Sequence, residues 1–361
     1  MADRFPLPIS TVSEDLTEVL ADQVREAAAR RAPLKVVGGN TKAFYGRRTE
    51  GEVLDVSRHR GIIAYEPSEL VITARAGTPL GEIEAALAEN HQRLSFEPPV
   101  FGPGSTLGGV VAAGLSGARR AFAGAVRDCV LGVTILDGRG RKLRFGGVVF
   151  KNVAGFDAFR LMAGAMGRLG VLLDVSLRLT PVPKASRALS SEASWTDAQK
   201  RLAGLLRRPL PLSGAVHDGE RLHLRLEGGE TAVAEATAEL GGEASPGPLW
   251  EDLRHMRLPP LTAPRLWRLS VPHAGQLPAL DGRWLINWAG AERWLASEAP
   301  AEAIRVAARA AGGHATLFRG AALDENIFEP LAPELLALHQ RLAAALDPAG
   351  VLNPGRMYAE L

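Results

Sequence analysis

The chain of 361 residues holds a single cysteine, Cys129. That excludes a disulfide within the chain and any CxxC redox or metal pair. An excess of one charge is lacking too: 42 basic residues face 40 acidic ones, and no run of like charge stands out. Nucleic acid is therefore not expected as a partner. No stretch approaches the roughly 18 apolar residues of a membrane span. Residues 1–33 lack the basic start, apolar run and small-residue cleavage site of a secretory signal, so a cytoplasmic location is expected. The usual fingerprints are missing as well. No GxGxxG joins a strand to a helix, no GK[ST] marks a P-loop, and no GxSxG supports a hydrolase.

What the chain does have is glycine, unevenly spread. Of 39 glycines, 16 fall in residues 100–170. Glycine costs conformational entropy, so such a cluster needs either tight turns or close approach of backbone to a ligand. Two segments stand out. Gly38-Gly39-Asn40-Thr41-Lys42 follows a short apolar run, Leu34–Val37; its consecutive N–H groups read as an anion-binding nest or as an ordinary turn. Gly102-Pro-Gly-Ser-Thr-Leu-Gly-Gly continues to Gly114-Leu-Ser-Gly117. So little side-chain bulk suits a large flat ligand lying on the backbone, or close packing of helix on sheet.

Periodicity organises the rest. Residues 14–31 read as an amphipathic helix capped by Ser13, with Leu16, Val19, Leu20, Val24 and Ala27 at helical spacing. Strands are predicted at 34–37 and 52–56, with two more within 62–76 around Pro67. Helices are predicted at 80–90 and over LGGVVAAG. Residues 130–145 form a hairpin around DGRG, and a helix near 156–164 and a strand at 171–179 follow. Pro181 and Pro183 close this half. All six tryptophans lie beyond it. There, strands at 187–193, 221–227, 265–271, 283–288 and 314–319, with helices at 196–207, 230–240 and 300–311, predict an α+β domain with an antiparallel sheet. A last helix spans about 333–346.

Taken together, GGNTK, EPSELVITARAGTPLGEI, FEPPVFGPGSTLGGVVAAGLSGARR and GAVRDCVLGVTILDGRGR resemble the PCMH-type FAD-binding domain of vanillyl-alcohol oxidase and its relatives. The resemblance covers about residues 5–183. It implies two α/β subdomains holding FAD, with contacts at Gly38, Gly39, Asn40, Thr41, Lys42, Tyr45, Gly46, Gly104, Thr106, Gly108, Gly109, Ser116, Arg127, Asp128, Gly170 and Val171. A narrower resemblance covers nearly the whole chain. VVFKNVAGFDAFRLMAGAMGRLGVL, WRLSVP, INWAGAERWL, GGHATLFRG and LDPAGVLNPGRM are similar to the family of FAD-binding E subunits of bacterial glycolate oxidase. That implies an FAD domain over 1–183, a smaller cap over 184–330, and a tail over 331–361 that returns to the FAD domain. The implied partners are a larger flavin subunit and an iron–sulfur subunit, through which any membrane association would run. The implied reaction is oxidation of a 2-hydroxy acid through the flavin.

A small carboxylate needs a fixed cation, which Arg supplies bidentately. Arg268, Arg319 and Arg356 are the candidates, each with a structural alternative. Trp267, Trp284 and Trp288 are candidates to line a substrate cavity or to fill a core. Arg268, Arg319 and Trp288 are taken forward as catalytic, and Arg356 as cofactor-binding. Asn40 and Thr41 stand where many relatives carry a flavin-linking histidine, so non-covalent FAD is expected. His217 and His223 resemble a metal-binding pair only superficially, and no metal is expected. Three readings follow: an FAD subunit of a complex, a self-sufficient FAD-dependent D-2-hydroxy-acid dehydrogenase, and a flavin-free scaffold. A flavin reductase of cell-wall synthesis ranks below these, since no YRxS-type segment is present.

Overall fold

A computed structural model describes residues 13–148, 157–245, 247–322 and 325–361. The VVFKNVAGF part of the quoted motif therefore lies largely outside the described residues, as does the start of the helix expected near 156. What is described there is a 3₁₀ turn, Ala158–Met162. The chain divides into two compact units. The first gathers residues up to Leu115, Ala125–Val182 and Leu331–Leu361; the second gathers Ser116–Gly124 and Pro183–Pro330.

The first unit is built on a five-stranded antiparallel sheet. Its order is Ile62–Glu66, Val71–Arg75, Val171–Arg178, Val130–Leu136, Lys142–Gly146. Val130–Leu136 is an inner strand, between Val171–Arg178 and Lys142–Gly146, and is buried throughout, as its mostly apolar run requires. The DGRG turn after it is fixed by Asp137, whose carboxylate accepts from the N–H groups of Arg139 and Arg141. A separate parallel pair joins Leu34–Val37 to Glu52–Asp55. Thr17–Arg30 packs Leu20, Ala21, Val24 and Ala27 into the core. Val19 points outward at 54% exposure. That helix starts three residues later than expected, at Thr17, and Ser13 is not its cap: the Ser13 hydroxyl accepts from Arg75.

The C-terminal tail adds to the parallel pair. Leu352 bridges Leu34 in parallel, the Leu34 N–H donates to Val351 O, and the Asn353 N–H donates to Leu34 O. The tail is anchored by Asp347, whose side chain is fully buried. It takes the Arg168 guanidinium at 2.7 Å and the N–H groups of Val351 and Leu352 at 3.1 and 2.9 Å.

The second unit carries an eight-stranded antiparallel sheet. Sequence patterning anticipates the antiparallel α+β character but misses three strands. Glu292–Ala296 escapes because its charges suggest a loop, yet it is buried over Glu292–Leu295. Arg293, 0% exposed, donates to the carbonyls of Gly275, Gln276 and Gly290, so its charge is dissipated internally. Leu212–His217, with Gly214 under the Trp250 ring, and the two-residue strand Glu243–Ala244 also escape. No helix among the described residues is long and apolar enough to cross a membrane.

Removing one partner of a buried ion pair strands the other, at a cost of about 3–5 kcal/mol. Asp347→Ala is therefore expected to lower unfolding free energy by about that amount in urea titration. A loss below about 1 kcal/mol would show that the tail is not held by this carboxylate.

Candidate functional site

The strand Leu34–Val37 delivers the chain into Gly38–Lys42, with Asn40 at φ 54°. This loop meets the second glycine segment directly. A Cβ on Gly39 would fall 1.5 Å from the carbonyl oxygen of Gly104, and one on Gly38 would fall 2.6 Å from Thr106 Oγ1. Neither position tolerates a side chain. The Thr41 and Ser105 hydroxyls add a hydrogen bond at 3.2 Å.

Beside this contact runs a cleft. Its walls include Gly38–Ala43, Tyr45, Thr49, Thr106, Gly109, Met166, Asn353 and Arg356. It adjoins a deeper recess with Gly38, Gly108, Gly109 and Gly170 in its walls. The amide N–H groups of Gly38, Gly39, Asn40, Thr41 and Lys42 donate to no acceptor among the described residues. The buried Thr49 hydroxyl has no partner either. Among the described residues, the Lys42 ammonium meets the Thr41 hydroxyl at 3.4 Å and the Phe101 ring at 5.8 Å, with no acidic partner. Burial without an opposing charge pushes its ammonium down to about 8. Lys35 and Arg356 are the other charged groups in the walls, and no Asp or Glu lines the cleft. Five unspent amides, an orphaned hydroxyl and an uncompensated cation form a donor set for an anion such as a diphosphate. The residues present fit a phosphate-bearing cofactor.

The second glycine segment contributes differently. The Leu107 and Gly108 N–H groups donate to Thr78 O and Ala76 O, and the Gly109 N–H donates to Thr106 Oγ1, which caps Leu107–Ala113. A Cβ on Gly108 would sit 2.7 Å from Ala76 Cβ. The amides of Leu107, Gly108 and Gly109 are therefore used by the protein, and Gly108 is small for helix-on-sheet packing. Of the remaining candidates, Tyr45 lines the cleft and Gly46, at φ 90°, lies against Arg356. Arg356 donates to four loop carbonyls. Val171 is a core residue of its strand. Arg127 and Asp128 are exposed and stand outside the cleft; Arg127 donates to Ala163 O, and Asp128 accepts from the Ala125 N–H. Ser116 is buried and groups with the second unit. Sequence reasoning missed Thr49, Met166 and Asn353. Only long-range pairing reveals them: the Asn353 carboxamide accepts from Val36 N–H at 2.8 Å and donates to Met166 O at 2.6 Å.

Within the second unit, Arg268 donates to Glu292 at 2.7 Å and stacks over Trp288, 5.0 Å from the ring centre. Arg319 donates to the carbonyls of Leu261 and Ala263, and burial lowers its pKa. Trp288 is 1% exposed, lies under Arg120 at 4.2 Å, and gives its N–H to Gly117 O. Trp267 is wholly buried, whereas Trp284 lies in the wall of a separate cleft with Asp218 and Arg283. His217 bonds Ala193 O; His223 bonds Asp218 and the Ser245 hydroxyl. Both histidines are engaged within the sheet and its edge.

Comparison with known proteins agrees with this geometry. The FAD binding domain family matches residues 13–146. The chain is 49% identical to glycolate oxidase subunit GlcE of Escherichia coli (strain K12), over 96% of this chain and 99% of that protein. It is 26% identical to glycolate oxidase subunit GlcD of Bacillus subtilis (strain 168), over 53% of this chain and 41% of that protein. A solved alkyldihydroxyacetonephosphate synthase shares the fold at TM-score 0.63 and 16% identity, covering 93% of this chain and 74% of that one.

The two touching glycines respond oppositely to a methyl group. Gly39→Ala must displace the Gly104 carbonyl and is expected to cost on the order of 1–3 kcal/mol. A Cβ on Gly104 meets its nearest atom at 3.4 Å. Gly104→Ala is therefore expected to be neutral or to stabilise by up to ~1 kcal/mol. Melting curves of the two variants decide; equal losses would mean that the loops do not interlock.

Proposed function

The chain belongs to the GlcE family of glycolate oxidase subunits, and on that premise we propose that it binds FAD non-covalently and takes part, within a multi-subunit complex, in oxidising glycolate to glyoxylate. The observation that carries the reading is the run of five unspent amides, Gly38 to Lys42, beside an ammonium with no acidic partner. Bound FAD would supply a two-electron acceptor for the hydride of the alcohol carbon. This chain's residues would hold it. The Gly38–Lys42 amides and Lys42 would take the diphosphate, while Gly104, Thr106 and Gly109 would bound it. Gly170 would close the deeper recess. No His or Cys stands among the cleft-lining residues, consistent with a cofactor held by hydrogen bonds and charge.

In this reading residues 1–183 and 331–361 carry the cofactor, and 184–330 form the substrate side. Arg268 and Arg319 are the proposed cations for the substrate carboxylate, each sharing its guanidinium with the acceptors described above. Trp288 would hold Gly117 in place through its N–H rather than touch substrate. The proposed partners are a larger flavin subunit and an iron–sulfur subunit. The likeness to GlcD supports a common origin for the two flavin chains of such a complex.

The purified chain is expected to be yellow or to take up FAD stoichiometrically. Glycolate added under anaerobic conditions is expected to leave the flavin band intact until partner subunits are present. Bleaching by the isolated chain would instead favour a self-sufficient dehydrogenase, and a colourless chain that ignores FAD a scaffold.

The pH dependence has a definite sign. Lys42 loses its proton near pH 8, whereas an unfolded lysine keeps it to above about 10. The ligand-free chain therefore gains stability from this group as pH rises from about 8 to about 10. A diphosphate needs the charged form, so FAD affinity should fall between about pH 7 and about pH 9. Lys42→Arg keeps the charge and should flatten that profile. A wild-type titration that is already flat removes Lys42 from the site.

A further inference from the structure

The GGNTK loop does not hold its own shape. After Lys42 the chain turns through Ala43–Gly46, where the Ala43 N–H donates to Asn40 O at 3.3 Å and the Tyr45 N–H to Lys42 O at 3.1 Å. The missing acceptor contacts come from the far end of the chain. One guanidinium, that of Arg356, donates to Arg47 O at 2.9 Å, Tyr45 O at 2.6 Å, and Lys42 O and Ala43 O at 3.3 Å each. The exchange is mutual, since the Arg47 N–H donates to Arg356 O at 2.9 Å. Gly46 lies against this side chain; a Cβ there would be 3.1 Å from Arg356 Nε. A planar fork with five N–H donors suits several carbonyls that diverge from one turn, and a single ammonium does not.

Arg356 is itself fixed. Its N–H donates to Asn353 O at 3.2 Å, and Asn353 is pinned to Val36 and Met166. The four carbonyls engage Nη2 and one Nη1 N–H, which ties this side chain to the turn.

We infer that Arg356 is a positioning residue, a clamp from the C-terminal tail that sets the 42–47 turn and thereby aims Lys42 and the Gly38–Lys42 amides at the cofactor. This role differs from the cofactor contact expected of Arg356 from the sequence, and the two predict different outcomes in the test below. Its consequence for FAD rests on the cleft being the diphosphate site; its consequence for the loop does not.

The test uses the full-length chain and two variants, Arg356→Ala and Arg356→Lys. Hydrogen exchange without FAD is expected to quicken by about tenfold or more across residues 40–47 in Arg356→Ala, with Val130–Leu136 unchanged. FAD affinity is expected to fall by about tenfold in the same variant. Arg356→Lys should lie between, and free guanidinium ion should restore part of both in Arg356→Ala. If the alanine variant does not fold, the lysine variant carries the same two readouts. Lost affinity with unchanged exchange would mean direct contact, and quickened exchange with affinity within twofold of wild type would mean an idle clamp; either overturns the inference. If the wild-type chain binds no FAD, the proposed function fails while the exchange result still decides the clamp.

Discussion

Two carbonyl-bearing backbones that touch without side chains set the terms for the first unit. Because a Cβ on Gly39 would fall 1.5 Å from the Gly104 oxygen, the two glycine segments must approach as bare chain. Bare chain offers only peptide groups, so whatever binds beside the contact meets amides and carbonyls first. In the second segment Leu107, Gly108 and Gly109 spend their amides on Thr78, Ala76 and Thr106. The first keeps five in a row, an array that an anion can meet together. A glycine-rich stretch is thus two different things in one protein: a packing device at Gly108 and a donor array at Gly38–Lys42.

The donor array has a cost. A partly buried ammonium without a counter-charge is unfavourable in the ligand-free chain. Lys42 registers this in a pKa drawn down to about 8. Such strain persists only where neighbouring structure enforces it. Here the enforcement is long-range. Asp347 fixes the start of the tail, Asn353 fixes it against Val36, and Arg356 reaches the turn after Lys42. The loop is thus held by the far end of the chain.

This explains what was legible in the sequence. Leu34–Val37, the hairpin around DGRG and the helix at Pro333–Leu346 carry their signals within a few residues, and they fold where the pattern puts them. The glycine loop was legible as a candidate because glycine pairs are locally anomalous. Thr49 and Asn353 were not, because a threonine and an asparagine have no periodicity, and Asn353 acts on Val36 across 317 residues of chain. Glu292–Ala296 was illegible for a related reason: the cation that pairs with Glu292 stands 24 residues away, and two of the carbonyls that Arg293 meets stand 17 and 18 residues away. Local pattern locates elements; it does not reveal who neutralises a charge.

The same reasoning bears on the second unit. Its arginines stand out in sequence as free cations for a carboxylate, yet each described one of interest is already a donor inside its own sheet or loop. Arg268 serves Glu292, Arg319 serves two carbonyls, and Arg293 serves three. Glu292 in turn accepts from Asn287 and Trp294. Releasing Arg268 to a substrate would leave that carboxylate short of its cation in a nearly dry setting, where an unpaired charge is most costly. A substrate carboxylate bound there must therefore add to the Arg268–Glu292 pair rather than replace it. An anion placed next to Glu292 is repelled unless a second cation joins; Arg120 shares the Trp288 ring with Arg268 in the same unit. Two guanidinium groups, those of Arg120 and Arg268, thus flank one buried indole, and neither is a free cation.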